Sequence, residues 1–155
     1  MNASRVGWGV AAILIVGFLL LMTLVPDETP NFANLVPLRE HSEALGCLLT
    51  GCDTAADAAR FLFKDVAGNV VVFIPVGFVF AGLMGEMPLR RRFWTALAMG
   101  AALSLFIEAI QIAIPTRATD VDDLLFNALG AAIGAGLFVW SRRARPSPLW
   151  AGDRH

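Results

Sequence analysis

Four long apolar runs, parted by short polar stretches, set the pattern of the chain. Residues 6–25 and 66–85 carry no charge, 93–114 carries only Glu108, and 124–140 again carries none. A helix rises about 1.5 Å per residue, so about 20 residues cross ~30 Å of hydrocarbon. The first three runs reach that length, and the fourth does so when counted as 121–141. None shows the alternation of a barrel strand. The pattern predicts an all-α, polytopic membrane protein with transmembrane helices at about 6–25, 66–85, 93–114 and 121–141. Residues 1–145 form a single transmembrane domain, and 146–155 are expected to be a cytoplasmic tail.

Composition sharpens this. Hydrophobic residues make up 57% of the 155 and charged ones 16%, with a net charge of −1. A soluble domain is nearer 45–50% apolar, and no basic field exists to attract nucleic acid. The first run is longer than the roughly 7–15 residues of a cleavable signal core, and Pro26 and Asp27 follow it where a small-residue cleavage site would stand. It is expected to be a retained anchor.

Basic residues set the direction of crossing. With the N-terminus inside, the cytoplasmic side holds Arg5, Arg90, Arg91, Arg92, Arg142, Arg143, Arg145 and Arg154. The outside holds Arg39, Arg60, Lys64 and Arg117. Both termini are therefore expected in the cytoplasm of a bacterium, the protein spanning its plasma (inner) membrane. On the outer side, Thr54-Ala-Ala-Asp57 has the form of a capping box, and the residues behind it suit a short extracytoplasmic interfacial helix. Residues 31–39, with Pro37, are expected to be extended. Cys47 and Cys52 also fall outside, where they could pair as a disulfide or remain two buried thiols.

Polar residues inside the spans are the costly ones. Glu108 is expected about 9 Å below the outer end of its helix, where a charge costs at least ~2.5 kcal/mol unless paired, neutral or facing water. Ser104, Glu108 and Gln111 share one helical face. Asp120, Asp123 and Asn127 form a matching stripe on the fourth span, continued by Gly130 and Gly134, whose small size lets another helix approach closely. Asn69 lies near the start of the second span. With Arg39 and Arg117 just above, these groups converge on an outward-facing polar pocket. Individually, each could be interhelical hydrogen-bond glue.

The same residues resemble the VanZ-like family of membrane proteins. The likeness rests on Asn34-Leu-Val-Pro-Leu-Arg39, on Asn69-x-x-x-Phe73-x-Pro75-x-Gly77, on Ser104-x-x-x-Glu108-x-x-Gln111, and on Arg117-x-x-Asp120-x-x-Asp123-x-x-x-Asn127-x-x-Gly130. It implies an association with reduced susceptibility to teicoplanin and related lipoglycopeptides, without an assigned reaction.

From the residues, the leading expectation is a pocket for an anionic amphiphile, such as a lipoglycopeptide or a lipid-linked cell-envelope precursor. Arg39 and Arg117 would grip its anion, and Asn69, Ser104, Gln111 and Asn127 would orient polar groups. Membrane lipids and further copies of the chain are the other expected partners, and no cofactor is expected. The alternative is a membrane enzyme acting on a phospholipid or polyprenyl-phosphate-type substrate, with Glu108 as general acid or base. Asp120 and Asp123 are weak candidates for a divalent cation. His41 is expected to lie outside the polar cluster.

Overall fold

A computed structural model describes residues 3–24, 33–34, 36–114 and 119–144. Helix α1 spans Ala3–Leu24, and after the two-residue strand β1 (Ala33–Asn34) comes α2, Arg39–Thr50. Helix α3 (Ala55–Leu62) passes through one wide turn at Phe63–Ala67 directly into α4 (Gly68–Leu83). Then follow α5 (Leu89–Gln111), β2 (Thr119–Asp120) and α6 (Val121–Arg143). The chain is an all-α polytopic membrane protein, with four helices long and apolar enough to span a bilayer. The two strands pair in parallel, Ala33 beside Thr119 and Asn34 beside Asp120.

Several boundaries differ from expectation for local reasons. The helix after Thr54 forms, but it is not a separate interfacial piece: it runs unbroken into the second span as Ala55–Leu83. Thr54 makes no side-chain cap, so the capping box does not form. The separate short helix is α2. It ends at Gly51, whose left-handed φ of 71° suits a residue without Cβ. Helix α5 begins at Leu89 after Pro88, so Arg90–Arg92 occupy its first turn rather than a loop. It also ends at Gln111, ahead of Pro115, which places Glu108 in the last turn instead of deeper. Of the expected extended segment 31–39, Ala33–Asn34 is a strand and Arg39 is helical. The 146–155 tail lies outside the described residues.

Helices α4, α5 and α6 enclose the core, in which Phe73, Val76, Phe80, Ala96, Ile107, Ala131 and Phe138 are buried. The approach of α4 to α6 is backbone against backbone. A Cβ on Gly130 would run into the carbonyl of Val70, one on Gly134 into that of Ile74, and one on Gly77 into that of Ala131. Without a hydrophobic drive between helices in lipid, such close contact supplies the packing energy. Helix α1 lies at the edge, with Ile13, Leu14 and Phe18 largely exposed, as lipid-facing residues are.

Two alanine substitutions separate packing from helix propensity. Gly134→Ala should destabilise the solubilised protein by about 1–3 kcal/mol through overpacking. Gly136→Ala, whose Cβ would meet only Phe93 at 3.9 Å, should be neutral or stabilising by up to about 1 kcal/mol. Thermal unfolding followed by size-exclusion chromatography reads the difference. Equal melting temperatures would contradict the packing described.

Candidate functional site

The end of the bundle where α4 and α6 begin and α5 ends carries the polar groups. Its most enclosed acid is Asp122, at 0% exposure. Its Oδ1 accepts the Leu38 N–H at 2.7 Å and its Oδ2 bonds to His41 Nδ1 at 2.9 Å. On the far side of the ring, His41 Nε2 lies 3.0 Å from Asp65 Oδ2. Phe61 and Phe126 pack on the imidazole, their centroids 5.2 and 4.9 Å away. A ring between two carboxylates has both nitrogens satisfied only when each of the two bonds holds a proton. The row Asp65–His41–Asp122 thus ties three elements, the α3–α4 helix, α2 and α6, into one unit.

Local sequence explains how His41 arrives there. Leu38 takes a left-handed backbone, φ 58°, immediately before α2. That conformation costs a residue with a Cβ roughly 1–2 kcal/mol, which its bond to a buried carboxylate offsets. The turn swings the first residues of α2 back onto α6. Next to it, Asp120 caps α6 by accepting the Asp122 N–H at 2.8 Å. Acidic groups at this helix start are also favoured by the helix dipole.

The expected stripe is largely assembled. Asn69 Nδ2 donates to Asp123 Oδ1. Glu108, only 6% exposed, accepts the Asp120 N–H through Oε2 at 3.2 Å. One turn inward, Asn127 Nδ2 donates to Ser104 Oγ at 2.9 Å, and Asn127 Oδ1 has no partner among the described residues. Gln111, at the C-terminal end of α5, is also buried. Among the described residues no three His, Cys, Asp or Glu groups converge to hold a metal. Asp120 and Asp123 each already accept from a nitrogen donor.

Two expectations change. Arg39 is not in the cluster: its side chain is 65% exposed and its Nε donates to Glu43 Oε1 at 3.2 Å. Placed one helical turn before Glu43, it finds a solvated partner without paying for desolvation. His41, expected apart from the cluster, is at its centre, together with Asp65 and Asp122. The signal for them was Gly51 as a helix stop, which implies a helix reaching back over His41. Arg117 lies outside the described residues. Cys47 and Cys52 form a disulfide with Cα atoms 5.2 Å apart, closing the turn between α2 and α3.

A cleft of about 300 Å³ opens beside this network, lined by Phe61, Lys64, Asp65, Gly68, Asn69 and Asp123. Other residues of the same helix line an apolar groove of about 710 Å³, bounded by Leu62, Val66, Val70 and Leu129 among others. The helix thus walls both a polar and an apolar recess, with no lining residue in common.

The buried row yields a direct expectation. Asp122→Ala should cost about 3–5 kcal/mol, because it strands His41 and the Leu38 N–H, whereas Arg39→Ala should change little. His41→Gln combined with Asp122→Asn should cost less than the sum of the two singles. Chemical or thermal unfolding of the solubilised variants measures all five, and strict additivity would show that the two side chains are not coupled.

Comparison with known proteins bears on the family. Protein VanZ of Enterococcus faecium is 31% identical over 81 residues, which is 52% of this chain and 48% of that protein. The match therefore spans about half the length of that relative. No solved structure matches the chain. The sequence profile described as VanZ/LLP1 matches residues 8–142, from the first turns of α1 almost to the end of α6. By that coverage, the chain belongs to the VanZ/LLP1 family.

Proposed function

We propose that this membrane protein uses its polar end as an outward-facing site for the head group of an anionic amphiphile, a reading in keeping with a family associated with teicoplanin resistance. One observation carries the reading: the helix Ala55–Leu83 walls both a polar cleft and an apolar groove near the same end of the bundle. A molecule with a polar head and a hydrocarbon tail suits an end that offers both kinds of recess. Lipoglycopeptides and lipid-linked envelope precursors have that form. Lys64, on the cleft wall, replaces Arg39 as the described cation for the ligand's acidic group. Asp65, Asp123 and Glu108 would take hydroxyl and amine donors, and Asn69 and Gln111 would orient the remainder.

The orientation rests on two independent supports. Arginines gather at the opposite end, as positive-inside placement demands. A disulfide between Cys47 and Cys52 suits an oxidising outer compartment. The plasma membrane of a bacterium, with cytoplasmic termini, fits both. The enzymatic reading draws on one observation, His41 between two carboxylates. Both ring nitrogens are engaged there, so the ring acts as a brace between elements rather than as a base facing the cleft.

For topology, a maleimide should label Asp53→Cys in intact cells and Met87→Cys only after permeabilisation. Labelling of Met87→Cys in intact cells would invert the proposed site. For binding, purified protein should retain teicoplanin more tightly than the unacylated glycopeptide vancomycin. Lys64→Ala or Asn69→Ala should weaken teicoplanin by about tenfold, the worth of a hydrogen bond to a charged group, and Val66→Trp should weaken it by filling the groove. Equal affinity for both drugs, unaffected by these substitutions, would remove the support for an amphiphile site. Turnover of a polyprenyl pyrophosphate by the wild type, lost in Glu108→Gln, would favour the enzyme.

A further inference from the structure

The opposite end of the bundle holds a second recess that the proposed amphiphile site does not use. Where α1 and α5 begin and α4 and α6 end, the helices leave a cavity of about 190 Å³. Three arginines line it, Arg5, Arg92 and Arg142, against one acid, Glu86.

One of the three, Arg92, is held there against two penalties. Arg92 is more than nine-tenths buried, its guanidinium carbon 5.5 Å from the centre of the Phe138 ring and its Nε donating to the Met87 carbonyl at 2.9 Å. Burying a guanidinium is expensive unless its charge is met. Arg92 also stands in the first turn of α5 behind Arg90 and Arg91, where the helix dipole disfavours cations. Arg5 is seated across the α4–α5 turn: a Cβ at Gly85, φ 60°, would lie 3.2 Å from its Nη2. Arg142 is one helical turn beyond Phe138 on α6, so it joins the same wall.

The level of the cavity identifies the anion's source. Trp8 at the start of α1, Trp94 at the start of α5 and Trp140 at the end of α6 all lie at this end, the last two 58% and 69% exposed. Exposed tryptophans at one level mark the boundary between hydrocarbon and head groups. The cavity therefore opens where lipid phosphates lie. Three guanidiniums less one carboxylate leave an excess of two positive charges, more than the single negative charge of a phosphodiester needs. Basic recesses between spanning helices at this level suit acidic lipid heads. We propose that this cavity binds the phosphodiester of an anionic phospholipid of that leaflet, its acyl chains lying outside against the exposed apolar faces.

The test uses full-length protein, delipidated in detergent and titrated with phosphatidylglycerol while native mass spectrometry counts bound lipid. The wild type should retain one phosphatidylglycerol in preference to phosphatidylcholine. Arg5→Gln with Arg142→Gln, both at exposed positions, should weaken it roughly thirtyfold, from the loss of two charges at the head-group level. Arg90→Gln with Arg91→Gln, which removes as much charge outside the cavity, should leave binding within about threefold of the wild type. Equal weakening by both pairs would show diffuse surface attraction and overturn the site. Equal retention of phosphatidylcholine would overturn it too. Displacement of the lipid by inorganic phosphate at equal concentration would make it a free-anion site and overturn the lipid assignment.

Discussion

The buried carboxylate of Asp122 is the constraint around which the polar end is organised. An acid at 0% exposure needs its oxygens filled, and each is filled from the chain that follows the first span: Leu38 by its backbone, His41 by its ring. The consequence is mechanical as much as electrostatic. Helix α2 cannot leave α6 without exposing this charge unpaired, and through Asp65 the imidazole also steadies the helix that carries the cleft wall. Lys64 and Asn69 owe their positions on either side of Asp65 to that brace.

Between the two ends lies a stretch with almost no polar groups, held by backbone proximity. The glycines of α6 and Gly77 of α4 allow carbonyls and Cα atoms to touch where any side chain would intrude. This close seam keeps the two helices at a fixed separation, so the polar residues above it and the arginines below it are spaced by the same rigid pair. The molecule is thereby divided into an acidic end rich in hydrogen bonds and a basic end rich in aromatic rings.

Much of this was legible in the sequence, because burial in lipid is written as length and apolar content. The four spans and the Gly130–Gly134 contact follow directly from pattern, and helical spacing plus alternating direction brings Asn69, Ser104, Asp123 and Asn127 to one end, while the pairs they form there are set by the packing. What was hidden depended on turns. A leucine with a left-handed backbone is not a signal any propensity carries, and without that turn at Leu38 neither the path of α2 nor the partner of Asp122 follows. Arg39 was misplaced for a related reason: once α2 begins at that residue, Glu43 comes within reach and water remains available to both. The capping pattern at Thr54 marks the true start of a helix at Ala55, though no side-chain cap forms, but it carries no sign that this helix runs on into the second span.

The hydrogen bonds at the polar end also bear on how the protein is made. Helix α6 is the last of the four spans to leave the ribosome, yet it brings the partners of Asn69, Ser104 and His41, and the residue before it brings that of Glu108. Until it arrives, the earlier spans must enter the bilayer on their apolar content alone, carrying groups that nothing yet satisfies. A nascent chain interrupted after α5 would display an acid, an amide and a hydroxyl within the membrane, at the cost such groups carry there. Arrival of α6 withdraws that surface in one step, so the same contacts that shape the site also lower the cost of holding polar groups in the bilayer.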